Sequence, residues 1–388
     1  MAVRIVLAVR ESQYIGPLLD YVHHSEYREL LQITAFSRMD VFMEYMKGEE
    51  VPCAVVGDAA FIETWLVEAR SAVPWALLAE EGEMTGRISK NLAGGQVIAK
   101  YQALPTLLSS ILQMCEVQRP AASASATSGT LLIGVVSGSG SSGKTIVSLN
   151  MAKQLGSMGL SVFYLNLEDV DSSGLYLRAT GGSAPALERL LYEIQVARDH
   201  GTEVKGEVHS YAIRHDELQC DAFKPVSNVK EMLQMNKRDT LDLLKLLSSR
   251  RSYDIVIVDT GSLGVERTEA VLQSSDVVLW ILPGDDTGMN KALKWLTHYN
   301  APYSEIAPGL MNKIRFILNG SMESAVDRPP PDGMHISSVL PHMPSWSLPN
   351  HSGLCLNSPA YQKEILLLCK GMLDPVLPQV LARVNGNE

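Results

Sequence analysis

One octapeptide constrains this chain more than any other stretch: Gly138-Ser139-Gly140-Ser141-Ser142-Gly143-Lys144-Thr145. It lies between an apolar, strand-like run, Leu131 to Ser137, and a helix-like run, Ile146 to Leu155. The spacing G-x-x-x-x-G-K-T between a strand and a helix is that of a phosphate-binding loop. The residue types follow from the task. Glycines let successive backbone N–H groups turn inward on an anion. Lys144 brings a cation to the β/γ-phosphates of a nucleotide, and Thr145 offers a hydroxyl to Mg²⁺. Ile146 opens the helix, whose N-terminal end adds positive potential. The alternative is a Gly/Ser-rich turn that ends in Lys-Thr by chance, and the flanking strand and helix weigh against it.

Downstream, Ser161 to Leu167 reads as a second strand running into Asn166-Leu167-Glu168-Asp169-Val170-Asp171. Acids at the carboxyl end of a strand beside such a loop hold Mg²⁺ or orient water. Tyr253 to Thr260 is a buried strand ending in Asp259-Thr260-Gly261, the pattern of an aspartate that acts on Mg²⁺ through water. Short strands are open at Val208 to Ile213 and Gln219 to Phe223. Asp239 to Arg250 is an amphipathic helix, with Leu241, Leu244 and Leu247 on one side. Asp276 to Pro283, Lys313 to Asn319 and Ile336 to Leu340 are further buried strands. The expectation is a mostly parallel sheet of about seven strands with right-handed crossovers.

The stretch before the loop alternates in the same way. Strands are expected at Arg4 to Val9, Leu31 to Phe36, Pro52 to Gly57, Trp75 to Ala79 and Gln96 to Ala99, with helices between them and a closing helix at Leu104 to Cys115. Such βα units imply a parallel sheet covered on both faces. The small, polar run Arg119 to Gly129 cannot bury a core and reads as a tether. The fold class is therefore α/β, with two doubly wound parallel-sheet domains: residues 1–117, a linker at 118–130, and residues 131–388. A net charge of −10 argues against a broad nucleic-acid surface. The five scattered cysteines show no disulfide or metal spacing, which suits a reducing cytoplasm. No apolar run approaches a membrane span, and the start carries no signal-peptide pattern. The end, near Pro378 to Arg383, reads as a frayed terminus.

Two resemblances rest on these residues. The first domain resembles a response-regulator receiver of flavodoxin-like fold. Asp58, at the end of the third strand, matches the phosphoacceptor, and Lys100, after the fifth, matches the receiver lysine. Arg10-Glu11 stands where two acids would hold Mg²⁺, so a cation is expected beside Asp58. Ala79-Glu80 stands where a hydroxyl residue is expected. An interaction-only receiver follows, with phosphotransfer at Asp58 as the alternative. In the second domain, the order of the loop, Asn166-Leu167-Glu168, Asp259-Thr260-Gly261, Asn319 and Pro341 resembles the MinD/ParA class of P-loop ATPases. The receiver-like domain in front narrows this to the TadZ/CpaE family of tight-adherence pilus assembly.

The resemblance implies ATP and Mg²⁺ as ligands and a homodimer with nucleotide at its interface. It also implies a cytoplasmic protein that marks a cell pole, or associates peripherally with the membrane through pilus or secretion components. Lys144, Glu168 and Asp259 take the catalytic places. Gly138 through Ile146 hold phosphate, and Asn319, with Pro341 nearby, recognises adenine. Thr145 and Asp259 serve the metal. Ser139 stands where the class carries a lysine that reaches the partner's nucleotide, Glu168 where it carries an aspartate, and Asn166 where it carries a metal-side acid. Weak or absent hydrolysis is the expectation. The alternatives are an actively hydrolysing positioning or partitioning ATPase, a phosphorylation-responsive regulator, and a protein that has lost nucleotide binding.

Overall fold

The structure is a computed structural model of the chain. It describes residues 2–48, 51–68, 73–80, 95–115, 130–177, 187–202, 204, 208–226, 228–249, 252–301, 307–321, 334–347 and 354–373. Most of the expected linker and the expected frayed end lie outside these residues. The chain forms two compact units, one of Met1–Ala121 with Gly353–Leu367, the other of Ala122–Ser352 with Leu368–Glu388.

In the first unit, strands β1 (Val3–Ala8), β2 (Leu31–Phe36), β3 (Ala54–Gly57), β4 (Trp75–Ala79) and β5 (Gln96–Ala99) alternate with helices α1 (Ser12–His24), α2 (Met39–Met46), α3 (Ala59–Glu68) and α4 (Leu104–Met114). The sheet is all-parallel in the order β2-β1-β3-β4-β5, the 2-1-3-4-5 arrangement of doubly wound folds. Residues Ile5 to Val9 are all buried, because both faces of β1, an interior strand, are covered. On one face Val6, Ala8 and Val55 pack with Phe42, Phe61, Ile62 and Trp65. The register aligns Ala8 with Gly57 and Ala79 with Ala99, so the residues after these strands meet at one sheet edge.

A division at the linker alone does not describe this unit, because residues from far along the chain complete it. Gln362 accepts a hydrogen bond from the Leu104 N–H at 2.8 Å and donates to the Gln102 carbonyl at 3.2 Å. Ala103, the N-cap of α4, supplies no side-chain cap, so Gln362 takes an amide that would otherwise lack a partner. Lys363 pairs with Asp20 of α1 at 3.0 Å.

The second unit holds β6 (Leu131–Val136), β7 (Val162–Leu167), β8 (Ala212–His215), β9 (Cys220–Phe223), β10 (Ile255–Thr260), β11 (Val277–Pro283), β12 (Ile314–Ser321) and β13 (Ile336–Pro341). Its helices are α5 (Lys144–Ser157), α6 (Leu187–Asp199), α7 (Val229–Gln234), α8 (Lys237–Ser249), α9 (Glu266–Ser274), α10 (Asp286–Tyr299) and α11 (Ala307–Lys313); the last helix of the chain is α12 (Pro359–Leu373), whose residues through Leu367 count with the first unit. The sheet has eight strands, in the order β13-β12-β11-β6-β10-β7-β9-β8. All neighbours are parallel except β8 and β9, an antiparallel hairpin that adds to the edge beside β7. Both hairpin strands fall at positions where the sequence allows short strands. The first is shifted, because Val208–Ser210 closes as a 3-10 turn and the strand starts only at Ala212.

Alternation along the strands sorts the side chains. Phe163, Leu165, Leu167, Val256 and Val258 pack with α6 and α8 residues in one core cluster. The intervening Tyr164, Asn166, Ile257 and Asp259 therefore point to the opposite face. No helix among the described residues is long and apolar enough to cross a membrane.

Candidate functional site

The phosphate-type loop leaves the carboxyl end of β6, the strand flanked by β10 and β11. Ser137 donates to the Ile281 carbonyl of β11 at 2.7 Å and accepts from the Ser139 N–H at 3.3 Å, which ties the loop's first turn to the sheet. The backbone then turns left-handed twice, at Ser141 (φ 53°) and at Gly143 (φ 87°). Gly143 is the N-cap of α5, and its carbonyl accepts from the Val147 N–H at 3.0 Å. The position needs glycine for two reasons. Its φ disfavours any Cβ, and a Cβ there would lie 2.2 Å from Asn319 Nδ2.

Asn319 lies on β12 and donates Nδ2 to the Ser142 carbonyl at 2.8 Å. The residue expected to recognise adenine thus bonds to the phosphate loop itself. Pro341 ends β13, in register with Ser321, two residues beyond Asn319. Gly138 and Ser139 are half-buried, Gly140 and Ser141 are exposed, and Ile146 is half-buried in the first turn of α5.

Lys144 is buried, and its Nζ lies 3.7 Å from Glu168 Oε1. Thr145 Oγ1 donates to Glu168 Oε2 at 3.5 Å. Glu168 thus faces the cation and hydroxyl that the sequence assigns to phosphate and metal. Burial raises its pKa, and Lys144 works in the opposite direction.

Asp259, at the end of β10, is fully buried. Burial first, and the negative charge of Glu168 second, push its pKa up to about 7. The Thr145 hydroxyl and the Lys144 cation work in the opposite direction. The Asp259 Oδ2 accepts from Tyr164 Oη at 3.0 Å, while its Oδ1 has no hydrogen-bond partner within normal geometry among the described residues. A buried carboxylate oxygen without a donor calls for a ligand. Beside the Thr145 hydroxyl it forms a hard-oxygen donor set that fits Mg²⁺, an ion usually bound through one or two carboxylates plus substrate phosphates.

The strand beside β10 carries a hydrogen-bonded chain that sequence reasoning missed. Asn166 lies directly opposite Asp259 in the β10–β7 register. Its Nδ2 donates to Tyr164 Oη at 3.1 Å and to Asp171 Oδ1 at 2.9 Å. Its Oδ1 accepts from the Glu168 N–H at 2.8 Å. Arg267, buried on α9, pairs with Asp169 and donates to the Met232 carbonyl. The segment carrying Glu168 is therefore held from two sides. A tyrosine two residues before Asn166 on one strand face was the available signal, hidden because aromatic residues are ordinary in buried strands.

The first unit gathers a second polar cluster. Buried Lys100 lies 3.1 Å from Asp58, 3.3 Å from Glu11 and 3.9 Å from Glu80. Burial alone would lower the Lys100 pKa, but Asp58 and Glu11 outweigh it and the pKa is raised. The expected cation beside Asp58 is therefore Lys100 rather than Arg10. Arg10 is exposed and donates its backbone N–H to Asp58 Oδ2 at 2.9 Å. Tyr14 donates to the Lys100 carbonyl at 2.9 Å and Tyr101 to Glu11 Oε2 at 2.8 Å.

No protein-family model and no curated protein matches the chain. Among solved structures it is similar to the septum site-determining protein MinD complexed with Mg-ADP from Pyrococcus horikoshii OT3, at 18% identity and TM-score 0.48, over 64% of this chain and 98% of that one. It is similar to a ParA family ATPase from Chlorobium tepidum TLS, at 18% identity and TM-score 0.47, over 62% of this chain and 97% of the other. It is also similar to an ATP complex of a Cyanothece McdA variant, at 13% identity and TM-score 0.47, over 63% of this chain and 96% of that one.

Proposed function

We propose that this chain is an ATP-binding, dimerising localisation scaffold of tight-adherence pilus assembly, of the TadZ/CpaE kind, with weak or absent ATP hydrolysis. The observation that carries the nucleotide reading is the donor set at the foot of α5. Lys144 and Thr145 open the helix, and the unpartnered Oδ1 of buried Asp259 lies on the neighbouring strand. Magnesium bound with ATP supplies positive charge against the β- and γ-phosphates. The chain's own residues do the rest. The left-handed turns at Ser141 and Gly143 shape the loop, Lys144 holds phosphate charge, and Asn319 braces the loop through Ser142.

Slow turnover follows from two residues. Ser139 offers no cation to a developing phosphoryl charge, a loss worth on the order of 10²–10³-fold or more in rate. The Glu168 carboxylate faces Lys144 and Thr145 instead of standing free to orient water. The first unit serves as a receiver-like docking module. Arg10 stands where a receiver carries a metal-holding acid and Ala79-Glu80 where it carries a hydroxyl residue, which favours an interaction role over phosphotransfer at Asp58.

Titration of the full chain with ATP and ADP, beside Lys144→Ala and with mass measured by light scattering, tests this reading. ATP-dependent dimerisation with little phosphate release is the expected result, lost in Lys144→Ala. Rapid turnover without a dimer would overturn it. Acetyl-phosphate labelling that disappears in Asp58→Ala would return the first unit to phosphotransfer. A fluorescent fusion that never concentrates at a pole or with pilus components would remove the pilus assignment.

A further inference from the structure

The strand next to Asp259 carries a side chain that the nucleotide reading does not use. Tyr164 is 1% exposed and stands on β7 two residues before Asn166, on the face that Asp259 shares. A phenol buried this deeply must spend its hydroxyl on a partner. It donates to Asp259 Oδ2 at 3.0 Å and accepts from Asn166 Nδ2 at 3.1 Å. Asn166 is itself fixed, because it also donates to Asp171 and accepts from the Glu168 N–H. Asp171 is anchored in turn by the Ser173 N–H at 2.7 Å.

Donor and acceptor are therefore assigned along the whole chain. The amide of Asn166 can only donate through Nδ2, so the Tyr164 hydroxyl is left to point its proton at Asp259. That proton occupies one oxygen of the carboxylate and leaves the other, Oδ1, without a partner. A carboxylate with both oxygens free rotates about its terminal bond, whose torsion is broad. One held at Oδ2 presents Oδ1 in a fixed direction.

We infer that Tyr164 is a positioning residue, which with Asn166 behind it orients Asp259 so that a single oxygen is presented to Mg²⁺. This rests on the nucleotide reading above and adds to it a side chain two strands from the phosphate loop. It also gives Asn166 a task that an acid could not perform, since a carboxylate there would have no proton to donate to Tyr164.

The test is calorimetry of the full chain with ATP, run once in excess Mg²⁺ and once in EDTA. The ratio of the two affinities is the magnesium-dependent gain. Tyr164→Phe should lose about tenfold of that gain, equivalent to about 1.4 kcal/mol, while its affinity in EDTA stays within about twofold of wild type. A structural defect would lower both affinities together, and that result would overturn the inference. Asn166→Ala keeps the Tyr164 ring and should lose about threefold of the gain. It keeps the test open if Tyr164→Phe does not fold. An unchanged gain in either folded variant overturns the inference, as does a wild type that binds ATP equally well with and without Mg²⁺. Wild type that binds no ATP in either buffer removes the nucleotide reading itself.

Discussion

Replacing Asp259 with asparagine should make the metal-free protein more stable at pH 8 and change it much less at acid pH. The reason lies in where the carboxylate sits. Asp259 is fully buried, faces the Glu168 charge, and has its pKa pushed up to about 7. An aspartate in an unfolded chain titrates near 3.9. The folded state therefore keeps this proton over a range in which the unfolded state has lost it. Stability from the group is fully present below about pH 3.9 and is lost as pH rises through about 7. A displacement of about three units corresponds to about 4 kcal/mol at full deprotonation. At pH 5 only about the first 1.5 kcal/mol of this has been lost.

The substituted asparagine does not titrate, and Tyr164 still has an oxygen to donate to. Groups remote from Asp259 titrate alike in both proteins and cancel in the difference, while Glu168, whose charge raises the Asp259 pKa, is relieved by the same substitution. Urea unfolding of both full chains in EDTA, at pH 5 and pH 8, should show the variant's advantage growing by about 2–3 kcal/mol between the two. A difference that does not change with pH, or wild type gaining on the variant as pH rises, would refute the burial argument. The same substitution should abolish most of the magnesium-dependent gain in ATP affinity.

Other substitutions test separate contacts. Ser141 holds φ at 53° with a Cβ present, so Ser141→Gly should stabilise the second unit by about 0.5–1 kcal/mol, read from its urea midpoint; a destabilised variant would show that the serine compensates for its backbone. On the nucleotide reading Glu168 holds the Lys144 cation that phosphate would take, with side chains only 21% and 8% exposed, so Glu168→Gln should tighten ATP binding in EDTA by at least about two- to fivefold, the worth of a more exposed ion pair. Gln362→Ala strips the partner from the Leu104 N–H and should cost about 1–2 kcal/mol, with faster hydrogen exchange at the first turn of α4 than elsewhere in the first unit.

What could be read from the sequence divides by how locally it is encoded. The phosphate-type loop was legible because strand, loop and helix are consecutive and the glycines stand at fixed offsets. Both parallel sheets were legible from buried runs such as Ile255 to Asp259, which only a strand covered on both faces can carry. Helix α9 was not, since only Ala270, Val271 and Leu272 mark its inner face; α10 carries a readable stripe of Met289, Leu293 and Leu296 at helical spacing. Strand order was not legible either, and it decides who meets whom. Gln362 caps α4 across 258 residues of sequence, and Lys100 rather than Arg10 reaches Asp58 because β4 aligns with β5 and β1 with β3.

Tyr164 shows the limit most sharply. Within Val162 to Leu167 it reads as one more β-forming aromatic. Its chemistry depends on which strand lies next to β7. Had β9 flanked it on both sides, the hydroxyl would have faced no acid. Because β10 lies there, in a register that sets Ile257 opposite Tyr164 and Asp259 opposite Asn166, the phenol reaches the carboxylate two residues along. A one-residue slip would turn Tyr164 to the α6–α8 face and strand its hydroxyl among leucines. The hydroxyl thus adds a polar constraint to a register otherwise fixed by apolar burial, and the contact that orients Asp259 also helps to specify the sheet that carries it.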